Sequence, residues 1–283
     1  MRHAVRSALS FGVMISAALA IPVVARPLDD VMASKVLRVV VYDDNEPFSW
    51  DDKGTKTGID VEIAGLIAAK LGVGIELLMR PQGEQVDQDL RFNIVRGTLG
   101  GGIAGDLMLH VPVDKELGIR VKDAVITNAY FQQRVALGVQ PDRATPITSF
   151  DVFKTEKVSV QLGTVADYFL MRYDTGALVN NISHYLKPGQ GAAKFAKGEV
   201  AALLGVQSSL EALLRSNNQR AAWSTPPMPG LVRASWVLGT AVDEKSRDLS
   251  YAVGAALTAL AADGSLQAIC EKYGVTYVAP SVQ

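Results

Sequence analysis

Residues 158–170, Val-Ser-Val-Gln-Leu-Gly-Thr-Val-Ala-Asp-Tyr-Phe-Leu, combine residue types that could hold an anion. Val158 and Val160 alternate with polar residues as a strand requires, Gly163 eases a turn, and Thr164 can cap the N–H groups opening a following helix. Such a helix start carries partial positive charge and unpaired donors, which suits a carboxylate or phosphate. The same residues also describe an ordinary strand-to-helix junction, and the motif alone does not choose between the two. Elsewhere the chemistry is sparse. The histidines are His3, His110 and His184, and there is no Ser/His/Asp spacing, His-Glu-x-x-His pair or cysteine cluster. Gly100-Gly-Gly102 lacks the Lys-Ser/Thr of a phosphate loop and reads as a turn. No catalytic residue, metal or cofactor is therefore expected. Cys270 shares a helical face with Leu266, Ile269 and Tyr273, the setting of a buried structural thiol, and as the lone cysteine it has no internal disulfide partner.

The first 25 residues read as a secretory signal: Arg2 and Arg6, an apolar run from Ala8 to Ile21, and Pro22-Val-Val-Ala25 before Arg26. The apolar run is shorter than the ~20 residues a spanning helix needs. A cleaved signal and periplasmic export are expected, a retained anchor being the other reading. Removing residues 1–25 takes away two arginines and no acid, so the net charge moves from −1 to about −3, without the basic face nucleic acid would require. About 258 residues then remain, enough for two lobes with separate cores, and a monomer is expected.

The elements that must position these groups alternate. Val36 to Tyr42 is a β-branched strand ending in Asp43-Asp-Asn-Glu46 and Pro47-Phe48. Ile59, Ile63, Leu66, Ile67 and Leu71 recur at helical spacing until Gly72. A strand from Val73 to Met79, a helix from Leu90 to Leu99 and a strand from Asp106 to His110 follow. Repeated βα units build a mostly parallel sheet covered on both faces. The long strand Tyr130 to Val139 marks a crossing into a second βα series: the 158–170 unit, a helix near Gly191–Lys197, a strand Ala201–Leu204 and a helix Ser208–Leu214. After the breaker-rich segment 224–230, a strand from Arg233 to Gly239 leads back to helices around Leu249–Leu260 and Ser265–Tyr273.

The ordered set of pieces resembles the periplasmic solute-binding proteins of the amino-acid ABC transporter type, family 3, over about residues 35–278. The pieces are Leu37-Arg-Val-Val-Val with Glu46-Pro-Phe-Ser49, Gly58-Ile-Asp-Val-Glu62, Leu71-Gly-Val73, Gly105-Asp-Leu-Met-Leu109, Ala129-Tyr-Phe131, Val158 to Thr164, Gly198-Glu-Val200 and Leu260 to Tyr273. The resemblance implies an α/β, two-lobed (type II) binding fold, each lobe a mostly parallel sheet flanked by helices, joined by two crossing strands. Lobe one would comprise 33–135 plus 233–283, and lobe two 136–232, with a solute in the cleft between them. Asp43 and Glu46 would then supply acceptors, Phe48 an aromatic wall, Gly163 and Thr164 donors to an anionic group, and His110 and Gln207 further polar contacts. Asp43 and Glu46 read equally as solvated turn residues, Phe48 and Trp50 as core aromatics, and His110 as a packed or surface residue.

Two departures bear on the ligand. Amino-acid-binding members carry Thr-x-x-Arg after the third strand, whereas this chain reads His110-Val-Pro-Val-Asp-Lys-Glu-Leu-Gly118, with Arg120 out of register. They also carry an Asp for the ammonium group where this chain has Gln207. Ordinary α-amino acids are therefore expected to bind weakly or not at all, and a small polar or anionic solute is expected instead. Phe92-Asn-Ile-Val-Arg-Gly-Thr-Leu99, Asp106-Leu-Met-Leu-His-Val-Pro112 and Thr127-Asn-Ala-Tyr-Phe131 further resemble the MxaJ/XoxJ-type subgroup, whose second motif reads Asp-Val-Val-Met-Gly-Val-Pro. The implied partner is an inner-membrane ABC permease in the first case, and a periplasmic pyrroloquinoline-quinone alcohol or methanol dehydrogenase in the second.

Overall fold

The computed structural model describes residues 25–98 and 102–281. The expected signal, apart from Ala25, and most of the Gly100–Gly102 turn lie outside the described residues. Helix α1 (Leu28–Ser34) leads into β1 (Val36–Tyr42), a small hairpin sheet of β2 (Asp44–Asn45), β3 (Ser49–Asp52) and β4 (Thr55–Thr57), then α2 (Ile59–Leu71) and β5 (Gly74–Arg80). Next come α3 (Val86–Leu90), β6 (Leu107–Pro112), α4 (Lys115–Arg120) and the 16-residue β7 (Ala124–Val139). The second series is β8 (Val158–Gln161), α5 (Val165–Arg172), β9 (Ile182–Tyr185), α6 (Pro188–Ala196), β10 (Ala202–Val206), α7 (Gln207–Ser216) and β11 (Ala222–Ser224). The chain returns through β12 (Ser235–Asp243), α8 (Arg247–Ala262) and α9 (Ser265–Lys272).

The main sheet runs β5-β1-β6-β12-β7-β10-β8-β9, with β11 also on β7. β7 changes partners midway: residues 124–134 pair antiparallel with β12, and residues 135–139 with β10. β1, β5 and β6 are mutually parallel, as are β8, β9 and β10. Following the antiparallel steps through β12 and β7 shows that the two parallel sets run in opposite directions, so their carboxyl ends point toward each other across the junction at Arg134 and Val135. Pro112, at the end of β6, aligns through Leu238 with Phe131, while Val206, at the end of β10, pairs with Val135. The two sets thus stop about four residues, or ~13 Å, apart along β7.

Each half has its own core. Val39 and Val41 face Ile63, Ile67, Val253 and Leu257 on one side of β1, while Val40 and Tyr42 face Leu90 and Ile94 on the other, as a sheet covered on both faces requires. In the other half, Val158, Val160, Leu137 and Leu204 pack on Phe150, Phe153, Phe169 and Leu170. Trp236, on the returning strand, packs against both cores.

The expected helix from Leu90 to Leu99 is displaced. It begins at Val86, and Arg96 N–H reaches the Arg91 carbonyl at 2.8 Å in a wider π-type turn that ends before Gly97, whose φ is 76°. The hairpin sheet, α1, α4 and β9 are too short for periodicity to show. Cys270 is buried, as its helical face implied, and burial foremost, then the charges of Asp60 and Glu211, pushes its thiol up to about 12. Among the described residues no single helix is long and apolar enough to cross a membrane.

Candidate functional site

The polar groups at the facing strand ends fall into three clusters. The first forms where β6 meets the start of α2. Asp60 is fully buried in the first turn of α2, where the helix dipole favours its charge. Its Oδ1 accepts from Tyr130 Oη at 2.6 Å, and its Oδ2 lies 2.9 Å from His110 Nδ1. The His110 backbone N–H donates to Tyr130 Oη at 3.0 Å, closing the ring of contacts. His110 has φ 63°, a left-handed conformation rare for a non-glycine residue inside a strand, at the place where the resembled motif has Gly. Because a carboxylate only accepts, the proton in this contact comes from His110 Nδ1, whose ring packs on Tyr42 and Phe48. Burial, then the charge of Asp60, drives the Tyr130 phenol well above its usual value, so it remains a donor.

The second cluster is the start of α5. Thr164 caps the helix as expected, accepting from Asp167 N–H at 3.3 Å, and Gly163 adopts φ 78°. The Gly163 N–H, however, donates to Asp167 Oδ2 at 2.9 Å, and the Thr164 hydroxyl donates to the Gln161 carbonyl at 2.8 Å. Asp167 is buried, and its other oxygen sits 2.7 Å from His184 Nε2. The donors expected to face a solute at Gly163 and Thr164 are therefore engaged by the chain's own carboxylate and carbonyl.

The third cluster joins the junction to α7. Arg134, half-buried on β7, donates from Nε to Gln207 Oε1 at 2.5 Å. Gln207 in turn donates from Nε2 to Glu211 Oε1 at 2.7 Å, and Glu211 Oε2 accepts from Thr276 N–H at 2.7 Å. The second residue of α7, Ser208, donates to Gln133 Oε1 at 2.8 Å. No side chain caps α7, which starts directly after β10.

The remaining expected residues are placed differently. Phe48 is 1% exposed and packs edge-on against His110 and Phe131, with ring centroids 4.5 Å and 5.4 Å apart. It is a core residue buttressing His110, not a wall open to solvent, because its ring belongs to the core formed around α2 and β6. Asp43 follows β1 half-buried, its N–H held by the Arg80 carbonyl at 3.0 Å, and Glu46 is exposed. Leu117 is buried, and Asp114, capping α4 through Leu117 N–H at 2.7 Å, pairs with Arg233. Among the described residues no group of three or more His, Cys, Asp or Glu side chains could hold a metal ion.

Asp60, Tyr130, Asp167, His184, Arg134 and Glu211 escaped the sequence reading. Thr164-Val-Ala-Asp167 is a capping-box pattern that would have announced the filled helix start. Asp60 is a polar residue on the buried face of an apolar helix, also a readable signal. Nothing local marks His184 or Arg134.

This architecture matches many solved structures. The ancestral cationic amino acid solute-binding protein AncCDT-1 superposes with a TM-score of 0.67 at 23% identity, covering 87% of this chain and 99% of that one. A second structure of AncCDT-1, at 0.55, presents it as an amino acid-binding precursor of cyclohexadienyl dehydratase. The L-cystine solute receptor of Neisseria gonorrhoeae, unliganded and open, gives 0.66 at 20% identity, covering 90% and 100% of the two chains. An amino acid ABC transporter substrate-binding protein of Streptococcus pneumoniae bound to L-arginine gives 0.57 at 19%, covering 89% and 99%. The chain has the two-lobed solute-binding fold. No protein-family model and no curated protein sequence matches it.

Proposed function

We propose that this chain is a non-catalytic, periplasmic solute-binding protein of family 3 that serves an ABC-type permease. Residues 33–135 plus 233–283 form lobe one and 136–232 lobe two, and a small polar or anionic solute occupies the cleft between them. The observation that carries this reading is the opposed direction of the two parallel strand sets, whose carboxyl ends, the usual ligand-binding ends of such sheets, face each other across Arg134 and Val135. The ligands named for the similar proteins, cystine and arginine among them, support a small polar ligand.

Export is supported at the other end of the chain. Asp106 is fully buried and accepts from the Arg26 backbone nitrogen at 3.1 Å and from its guanidinium at 3.0 Å and 2.6 Å. Cleavage after Ala25 would leave the new α-ammonium group on that carboxylate. The test of function is a thermal-shift screen of the full mature chain against small acids, amines and amino acids, followed by small-angle scattering with any hit. A solute that raises the melting temperature by several degrees and reduces the radius of gyration supports a closing cleft. A chain that answers no solute but is retained by an immobilised quinoprotein dehydrogenase refutes it in favour of an accessory role.

A further inference from the structure

The start of α7 differs from a generic polar cluster in what it leaves unpaired. Gln207 has one amide oxygen and one amide nitrogen, and Glu211 can only accept, so the Nε2 bond to Glu211 fixes which end is which and turns Oε1 toward Arg134. Arg134 Nε is thereby held at 2.5 Å. The guanidinium is planar, so fixing Nε also fixes the plane and direction of the Nη1 and Nη2 fork. Among the described residues, neither Nη atom donates to any acceptor, and no carboxylate comes within ion-pair distance of Arg134, although Arg26, Arg38, Arg91, Arg143, Arg233 and Arg247 all have such partners. Neither Nη is sealed in the interior without a partner, as Arg38 Nη1 is. Arg134 is also the residue at which β7 passes from β12 to β10, directly between the facing strand ends. The uncapped first turn of the ten-residue α7 adds donors and a positive dipole end on the same side, since Gln207 is its first residue.

We infer that Arg134, oriented by Gln207 and Glu211, anchors a carboxylate in the cleft, and that the solute is an organic acid with no ammonium group beside that carboxylate. This rests on the cleft reading above. An α-ammonium next to the bound carboxylate would sit close to a guanidinium and at a positive helix end, while Glu211, the acid joined to Arg134 through Gln207, is turned to Gln207 and the Thr276 N–H. A hydrogen atom or hydroxyl at that carbon meets no such repulsion.

The test is isothermal titration of the full mature chain with succinate, glutarate, benzoate and inorganic phosphate, repeated with Arg134→Gln and Arg134→Lys. The expected result is binding of at least one carboxylate, weakened at least about tenfold in Arg134→Gln and by less in Arg134→Lys, which keeps the charge but not the fork. Unliganded melting curves of both variants within a few degrees of the parent exclude misfolding, and Arg134→Lys keeps the test alive should Arg134→Gln fail to fold. A carboxylate that binds Arg134→Gln as tightly as the parent overturns the role of Arg134 while leaving the cleft intact. Binding of phosphate alone overturns the carboxylate assignment. If neither these probes nor a panel of amino acids and amines binds, the cleft reading falls and takes this one with it.

Discussion

Two helices that follow neighbouring parallel strands, α5 and α7, both begin at the carboxyl end of a strand on the rim of the proposed cleft, yet they treat their free N–H groups differently. At α5 the chain supplies acceptors of its own: Thr164 caps, Asp167 accepts from Gly163, and His184 contacts Asp167. At α7 it supplies no cap and brings up a cation, Arg134, whose outer nitrogens stay unpaired. The sequence pattern that advertises an anion seat is therefore the one that is already filled, because a good capping residue satisfies the very donors a ligand would need. The start that remains open is the one without the signature.

Removing Asp167 tests the filled seat most severely. Asp167→Ala deprives a backbone N–H and His184 of a charged acceptor and should lower unfolding stability by about 3 kcal/mol in urea titrations, with carboxylate affinity held within about twofold. A gain of carboxylate binding would show that α5 is the true seat. Gln207→Glu places an isosteric carboxylate on Arg134 and should reduce carboxylate affinity about tenfold by calorimetry; unchanged affinity would remove α7 from the site. Thr164→Ala should cost about 1 kcal/mol of stability and nothing in ligand affinity, since its hydroxyl serves only the chain.

A third helix start gives the smallest effect. Burial alone would raise the Asp114 carboxyl at the cap of α4, but the Leu117 N–H and then Arg233 outweigh it and hold the group below its usual range. A carboxyl depressed in the folded state contributes stability that is complete above its unfolded value and lost as pH falls through the folded value. As pH falls below the ordinary carboxylate range the parent should therefore lose stability that Asp114→Asn does not, read from paired urea titrations.

The fold was largely legible because β-branched runs such as Val36 to Tyr42 and apolar spacing such as Ile59, Ile63 and Ile67 are local signals that burial later obeys. The positions of Gly163 and Gln207 after their strands were legible for the same reason, whereas the strand expected to end at His110 runs on to Pro112. The partners of these residues were not legible. His110 finds Asp60 across 50 residues and Arg134 finds Gln207 across 73, and no periodicity connects residues so far apart. Phe48 was misplaced because an aromatic after a polar loop has the same sequence appearance whether it lines a cleft or seals a core, and only its contacts with Phe131 and His110 decide. The left-handed backbone of His110 was hidden too, since a strand pattern says nothing about the sign of φ at one position.

The central claim, that the α7 end of the cleft is cationic and rejects an ammonium group, is tested most directly by a matched pair. Calorimetric titration with butanoate and with L-2-aminobutanoate compares two monocarboxylates of equal chain length that differ by one α-ammonium. Butanoate should bind at least about tenfold more tightly. Tighter binding of the amino acid, in a chain whose Arg134 is intact, would contradict a cationic α7 end.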